Sequence, residues 1–159
     1  MNIIALDLAN QTGYAEYTQR RGIKWQTWKL RKGREESDLM IALENAINAV
    51  NPSLIVYEMA AFQRGHAGPP WHRKHGVLMA MAQDHGIKLR GIHQGTWKKH
   101  IVGFANFGKP SRKADFGEYE ALKALQKRGY DGFKTFDEVD AVGVLLTAME
   151  TDETEKENT

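Results

Sequence analysis

Residues 1–17, MNIIALDLANQTGYAEY, decide how the rest of the chain is read. Ile3, Ile4, Ala5 and Leu6 form an apolar run that reads as a strand. Asp7 then places a carboxylate where a buried strand would carry another apolar side chain. Gly13 predicts a tight turn, and residues 14–17 resume an extended pattern, so the chain folds straight back as a hairpin. A lone aspartate here is most simply a strand-end or turn residue. Two further element ends carry carboxylates in matching contexts, Glu58 and the pair Asp137 and Asp140. The remaining sequence reads as the scaffold that gathers these four.

The length of 159 residues fits one domain with a sizeable core. The expected division is a single domain over residues 1–149 and an acidic, disordered tail over 150–159. No apolar run approaches the roughly 20 residues that span a bilayer, and no signal peptide is evident. With no cysteine, disulfides, zinc–thiolate sites and thiol nucleophiles are excluded together. A cytosolic setting is expected.

The net charge of +2 hides a strong asymmetry. Residues 62–113 hold ten Lys/Arg against one acid, Asp84, and also all six histidines, whereas the remaining residues carry a net −7. Such a basic segment is the electrostatic footprint of a phosphate-backbone partner. Arg64, Arg73, Lys74, Lys98, Lys99, Lys109 and Arg112 are its candidate DNA contacts. The histidines show no metal-ligand spacing with nearby acids and read as further polar contacts.

Beyond the hairpin, residues 22–30 alternate as a third strand. Ser37 reads as an N-cap for a helix whose stripe is Leu39, Leu43, Ala46, Ile47 and Val50, ended by Asn51-Pro52. Residues 53–58 (SLIVYE) are apolar without alternation, as in a strand covered on both faces. The helix before this strand makes a crossover, so the strand lies parallel to the first. Asp7 and Glu58 then sit at neighbouring carboxyl ends, where open α/β sheets place their sites.

Residues 60–70 read as a loop, and a helix runs from Trp71 or His72 to His85 with Gly86 as its stop. Residues 87–92 form a strand and 95–100 a helical turn. A glycine-bearing loop, a helix over 111–128 and a last helix over 137–149 follow. This order predicts an α/β, ribonuclease H-like fold, a mixed five-stranded sheet with helices on both faces.

Asp137 and Asp140 are three residues apart at a helix start and so share one face, while Glu138 is expected toward solvent. Clustered carboxylates repel unless a cation stands between them, and oxygen-only ligands select Mg²⁺ or Mn²⁺. Two such ions about 3.5–4 Å apart can clamp the attacking and leaving oxygens of a phosphodiester.

The motifs IIALDLANQTGYAEY, LIVYE and FDEVDAVGVLLTA together resemble the RuvC family of Holliday-junction resolvases, in the retroviral integrase/ribonuclease H superfamily. The resemblance implies that Asp7, Glu58, Asp137 and Asp140 bind two Mg²⁺ ions, with Mn²⁺ able to substitute. It implies an aromatic after the glutamate that probes unstacked bases, for which Phe62 is the nearest match, and a lysine acting at the scissile phosphate, for which Lys113 is nearest. It also assigns the helix over 72–85 to a dimer interface through Leu78 and Met81.

The expected function is therefore a divalent-metal-dependent endonuclease acting as a homodimer on branched DNA, four-way junctions above all. The expected setting is the cytoplasm of a bacterial or phage-infected cell. The main rival is a non-catalytic, structure-selective nucleic-acid-binding protein of the same fold. A phosphotransferase of the actin/sugar-kinase superfamily also opens on an Asp-bearing hairpin, but such chains are far longer and two-lobed.

Overall fold

A computed structural model describes residues 1–9, 11–59, 68–103 and 116–157. Five strands, β1 (Ile3–Asp7), β2 (Thr12–Thr18), β3 (Gly22–Trp28), β4 (Leu54–Met59) and β5 (Lys88–His93), form one sheet in the order β3-β2-β1-β4-β5. β1 pairs antiparallel with β2 and parallel with β4, β2 pairs antiparallel with β3, and β4 pairs parallel with β5. The helices are α1 (Glu35–Val50), α2 (Pro69–Asp84), α3 (Gln94–Val102), α4 (Phe116–Lys127) and α5 (Phe136–Glu157). This is the mixed ribonuclease H-like sheet that the sequence predicts. None of the described helices is long and apolar enough to cross a membrane.

The sheet separates two apolar layers. Ile4, Leu6, Tyr14, Ile55 and Tyr57 face α1 and α2, packing with Leu39, Leu43, Leu78 and Met81. Ile3, Ala5, Ala15, Leu54 and Val56 face the other way, against Trp97, Val142, Leu145 and their neighbours. Side chains alternate across a strand. Asp7 therefore continues the Ile3–Ala5 side and Glu58 the Leu54–Val56 side, both toward α5. Since Leu6 is in register with Tyr57, the two carboxylates that follow them are neighbours. Period-two alternation on two parallel strands is what aims both acids at one helix.

Several local readings change. Gly13 is not a turn residue but lies in β2, opposite Asp7. Ser37 is not the N-cap of α1: the helix begins at Glu35, and the Ser37 hydroxyl donates to the Arg34 carbonyl at 3.0 Å. The first turn carries Glu35, Glu36 and Asp38, which suit the positive helix end, and Asp38 accepts from the Arg31 backbone and guanidinium.

α2 begins at Pro69, because proline suits the first helical turn, where its missing N–H costs nothing. α3 is a full helix closed by Gly103 in the left-handed region (φ 92°). α5 runs past Met149 to Glu157, with Thr151 back-bonding to the Thr147 and Ala148 carbonyls and no Gly or Pro to stop it. Leu78 and Met81 are buried inside the single chain against its own sheet and α1, so they are core residues and not side chains turned to a second subunit.

Candidate active site

The start of α5 is fixed by a cap. Thr135 Oγ1 accepts the Glu138 backbone N–H at 3.2 Å, and the Glu138 carboxylate reaches back to the Lys134 N–H at 2.7 Å. This is a close variant of the capping box, in which a Thr and a Glu three residues on satisfy the exposed amides of the first turn. Glu138 also accepts from Thr27 of β3 at 3.0 Å, tying the cap to the sheet. Glu138 is buried, which corrects its placement toward solvent. Its Thr-Phe-Asp-Glu signature was readable in the sequence. Glu138→Ala should destabilise the protein by about 0.5–2 kcal/mol, seen as a lower midpoint in urea. An unchanged midpoint would show the cap to be dispensable.

With α5 so placed, the charges of Glu58, Asp137 and Asp140 all act on Asp7. Asp7 is pushed well above the ordinary aspartate range, first by burial and then by the charges of Glu58, Asp140 and Asp137, against the opposing Ala9 N–H bond. Asp140 is likewise raised well above its usual range by burial, then by Glu58, with Lys98 opposing and Glu118 and Asp137 adding. Burial also raises Glu58, and here a hydrogen bond from Trp97 and the charge of Lys98 work the other way. Asp137 is raised by burial and held back by Lys74.

Two buried lysines therefore flank the acids, one from each helical layer. Lys74 of α2 donates to the Ala9 carbonyl, and burial lowers its pKa. Lys98 of α3 lies beside Glu58 and Asp140.

The other expected contacts are placed as follows. Lys74 is not a surface contact, since its ammonium is turned inward. Lys98, read from sequence as a phosphate contact, is buried beside Glu58 and Asp140. Arg73 is exposed but bonded to Glu36, and Lys99 is exposed. Phe62, Arg64, Lys109, Arg112 and Lys113 lie outside the described residues. Trp97 and the half-buried Glu118 were not singled out from sequence. Their proximity to the acids is tertiary, and only the position of α3 and α4 beside α5 reveals it.

The donor set suits a hard divalent cation. Asp140 Oδ1 is buried and has no hydrogen-bond partner among the described residues, and the charges of Glu58 and Asp137 raise both Asp7 and Asp140. Among the described residues, no three His, Asp or Glu side chains are arranged to hold a metal ion as they stand. The acids share a field rather than a finished cage.

This carries a pH prediction. The folded pKa of Asp140 lies above its unfolded one, so the folded state keeps a proton that the unfolded chain has lost. Stability from this residue is therefore lost as pH rises from the ordinary aspartate range, about 4, through the raised folded value. Asparagine does not ionise. Asp140→Asn should match the wild type in acid and become progressively more stable than it toward neutrality, in EDTA. Each kcal/mol gained should raise the melting temperature by roughly 2–4 °C. A difference independent of pH would disprove this account.

No protein-family model and no curated protein matches the sequence. Solved structures do match in shape. Thermus thermophilus RuvC is similar with a TM-score of 0.70 at 13% identity, over 92% of each chain. The same protein in complex with a Holliday-junction substrate gives 0.72 at 12% identity, again over 92% of each. Fowlpox virus resolvase, solved with Holliday-junction DNA, gives 0.55 at 13% identity, covering 94% of this chain and 99% of the other. Over nearly its whole length, then, this chain has the ribonuclease H-like fold of the RuvC-type resolvases.

Proposed function

We propose that the protein is a divalent-metal-dependent endonuclease that cuts branched DNA, four-way junctions foremost. The observation that carries this reading is the convergence of Asp7, Glu58, Asp137 and Asp140, from two adjacent parallel strands and one helix, on a fold shared with resolvases solved on junction DNA.

Asp7, Glu58, Asp137 and Asp140 would hold Mg²⁺, or Mn²⁺ in its place. When bound, the ions would supply an activated water and stabilise the leaving oxygen of the phosphodiester. The protein's own part is to orient the acids and screen their charge. Ala9 N–H steadies Asp7, Trp97 steadies Glu58, and Lys98 and Lys74 set positive charge at the two ends of the cluster. Residues 62–113, with a net charge of +9 in sequence, would supply cations for the DNA backbone, Lys74 and Lys98 excepted because both are buried beside the acids. Two symmetric cuts across a two-fold junction need two sites in one particle, hence a homodimer. The expected setting is a bacterial or phage-infected cytoplasm.

The test is cleavage of labelled four-way, flap, fork and linear DNAs with Mg²⁺, Mn²⁺ or EDTA. Metal-dependent cutting of branched over linear DNA supports the reading. Tight structure-selective binding with no cutting under any metal would instead identify a non-catalytic junction-binding protein.

A further inference from the structure

Trp97 is fully buried on α3, yet its one polar atom is spent on the acid cluster: indole Nε1–H donates to Oε2 of Glu58 at 2.8 Å. The ring occupies a recess in α5. A Cβ at Gly143 would stand 2.5 Å from Trp97 Cε3 and 2.7 Å from Cζ3, so any side chain at that position would displace the ring. Gly143 follows Asp140 by one helical turn, and its carbonyl accepts the Thr147 hydroxyl at 2.8 Å. The seat of the ring and one acid of the cluster thus lie on the same face of one helix. Next to Trp97, Lys98 carries its Nζ to 5.2 Å from the ring centroid. An ordinary core position is filled as well by Leu or Phe. Here the filling side chain also presents a donor to a carboxylate whose surroundings are acidic.

The geometry points to Trp97 as a positioning residue of the site: its N–H holds Oε2 of Glu58 and leaves Oε1 as the oxygen available to a divalent cation. The inference rests on the proposed metal-dependent function and adds the element that orients one ligand. A glutamate has three side-chain torsions, and among like charges it is pushed away from its neighbours. A fixed donor on one oxygen limits that freedom and orients the other. Partners of this kind typically govern metal affinity or activity by about 10–100-fold.

Two replacements separate the N–H from the ring. Trp97→Phe removes the donor and part of the ring. Substitution of Trp97 by 3-benzothienylalanine keeps the bicyclic shape and removes only the donor. Mn²⁺ binding is read by calorimetry without DNA, junction binding by gel shift in EDTA, and folding by thermal melting.

For the benzothienyl variant the expected result is Mn²⁺ affinity lowered by about 10–100-fold, with the Mg²⁺ concentration for half-maximal cutting raised by a similar factor. Junction affinity in EDTA should be unchanged. Gly143→Ala, which keeps both the donor and the acceptor but crowds the Trp97 ring, should also weaken Mn²⁺ binding by moving that ring. A benzothienyl variant with wild-type Mn²⁺ affinity overturns the inference and leaves the proposed function standing. A wild-type protein that takes up no Mn²⁺ overturns both.

Discussion

Asp7→Asn should bind a four-way junction as tightly as the wild type and cut it at least about 100-fold more slowly, the upper range for losing a mere partner of a metal ligand. Asparagine is close in shape to aspartate, so the Leu6–Leu8 backbone and the Ala9 carbonyl bond to Lys74 remain. What is lost is the carboxylate whose charge is opposed by all three other acids, and with it one oxygen of the proposed metal site.

Binding should survive because affinity resides elsewhere. The proposed DNA contacts are the cations of residues 62–113 other than the buried Lys74 and Lys98, and removing one negative charge lessens the repulsion of DNA phosphates. Affinity of both proteins should fall steeply with salt as counterions return to the backbone. The measurement pairs a gel shift in EDTA with single-turnover cutting in Mg²⁺. Cutting by Asp7→Asn at the wild-type rate would remove the acid cluster from the chemistry.

The second large effect is expected at Gly13. A Cβ there would lie 1.9 Å from the Asp137 carbonyl oxygen and 2.5 Å from its carbon. The obstacle is helix backbone, which cannot rotate aside as a side chain can. Neither side is free to retreat. Gly13 is locked between Asp7 of β1 and Thr27 of β3, and Asp137 sits inside the capped first turn of α5. Gly13→Ala should therefore cost at least about 1–3 kcal/mol, the usual cost of overpacking, which lowers the melting temperature by roughly 2–4 °C per kcal/mol. Cutting should fall further than stability does, even at a temperature where the variant is folded, because the relief has to move Asp137. A variant with wild-type melting and rate would show that α5 does not rest on β2 at this point.

Much of this was legible in the sequence for a physical reason. Strand alternation and a parallel crossover are local signals, and they place Asp7 beside Glu58 without any knowledge of tertiary contacts. The spacing of Asp137 and Asp140 is equally local. Gly13 was misread because a glycine after a strand most often marks a turn, whereas here it makes room for a helix that arrives more than a hundred residues later. Lys74 and Lys98 look like any surface cation until α2 and α3 are seen to turn them inward. Trp97 looks like core, and it is core. Its second role appears only when Glu58 is found beside the indole N–H. Glu138 is expected toward solvent from its neighbours, yet its Thr-x-x-Glu spacing is a local capping signal, and the cap buries it.

The contact of β1 and β2 with α5 has a consequence for how the protein comes into being. Three of the elements that frame the cluster, β1, β2 and β4, leave the ribosome long before α5 does. Until residues 136–146 have emerged and settled across the sheet, Asp7 and Glu58 stand without Asp137 and Asp140. A nascent chain can fold its hairpin and begin its basic segment while holding only half of its acids. The proposed capacity to cut DNA would thus arrive in one step, only once α5 has been made, and a chain interrupted before that helix would lack half of its acids.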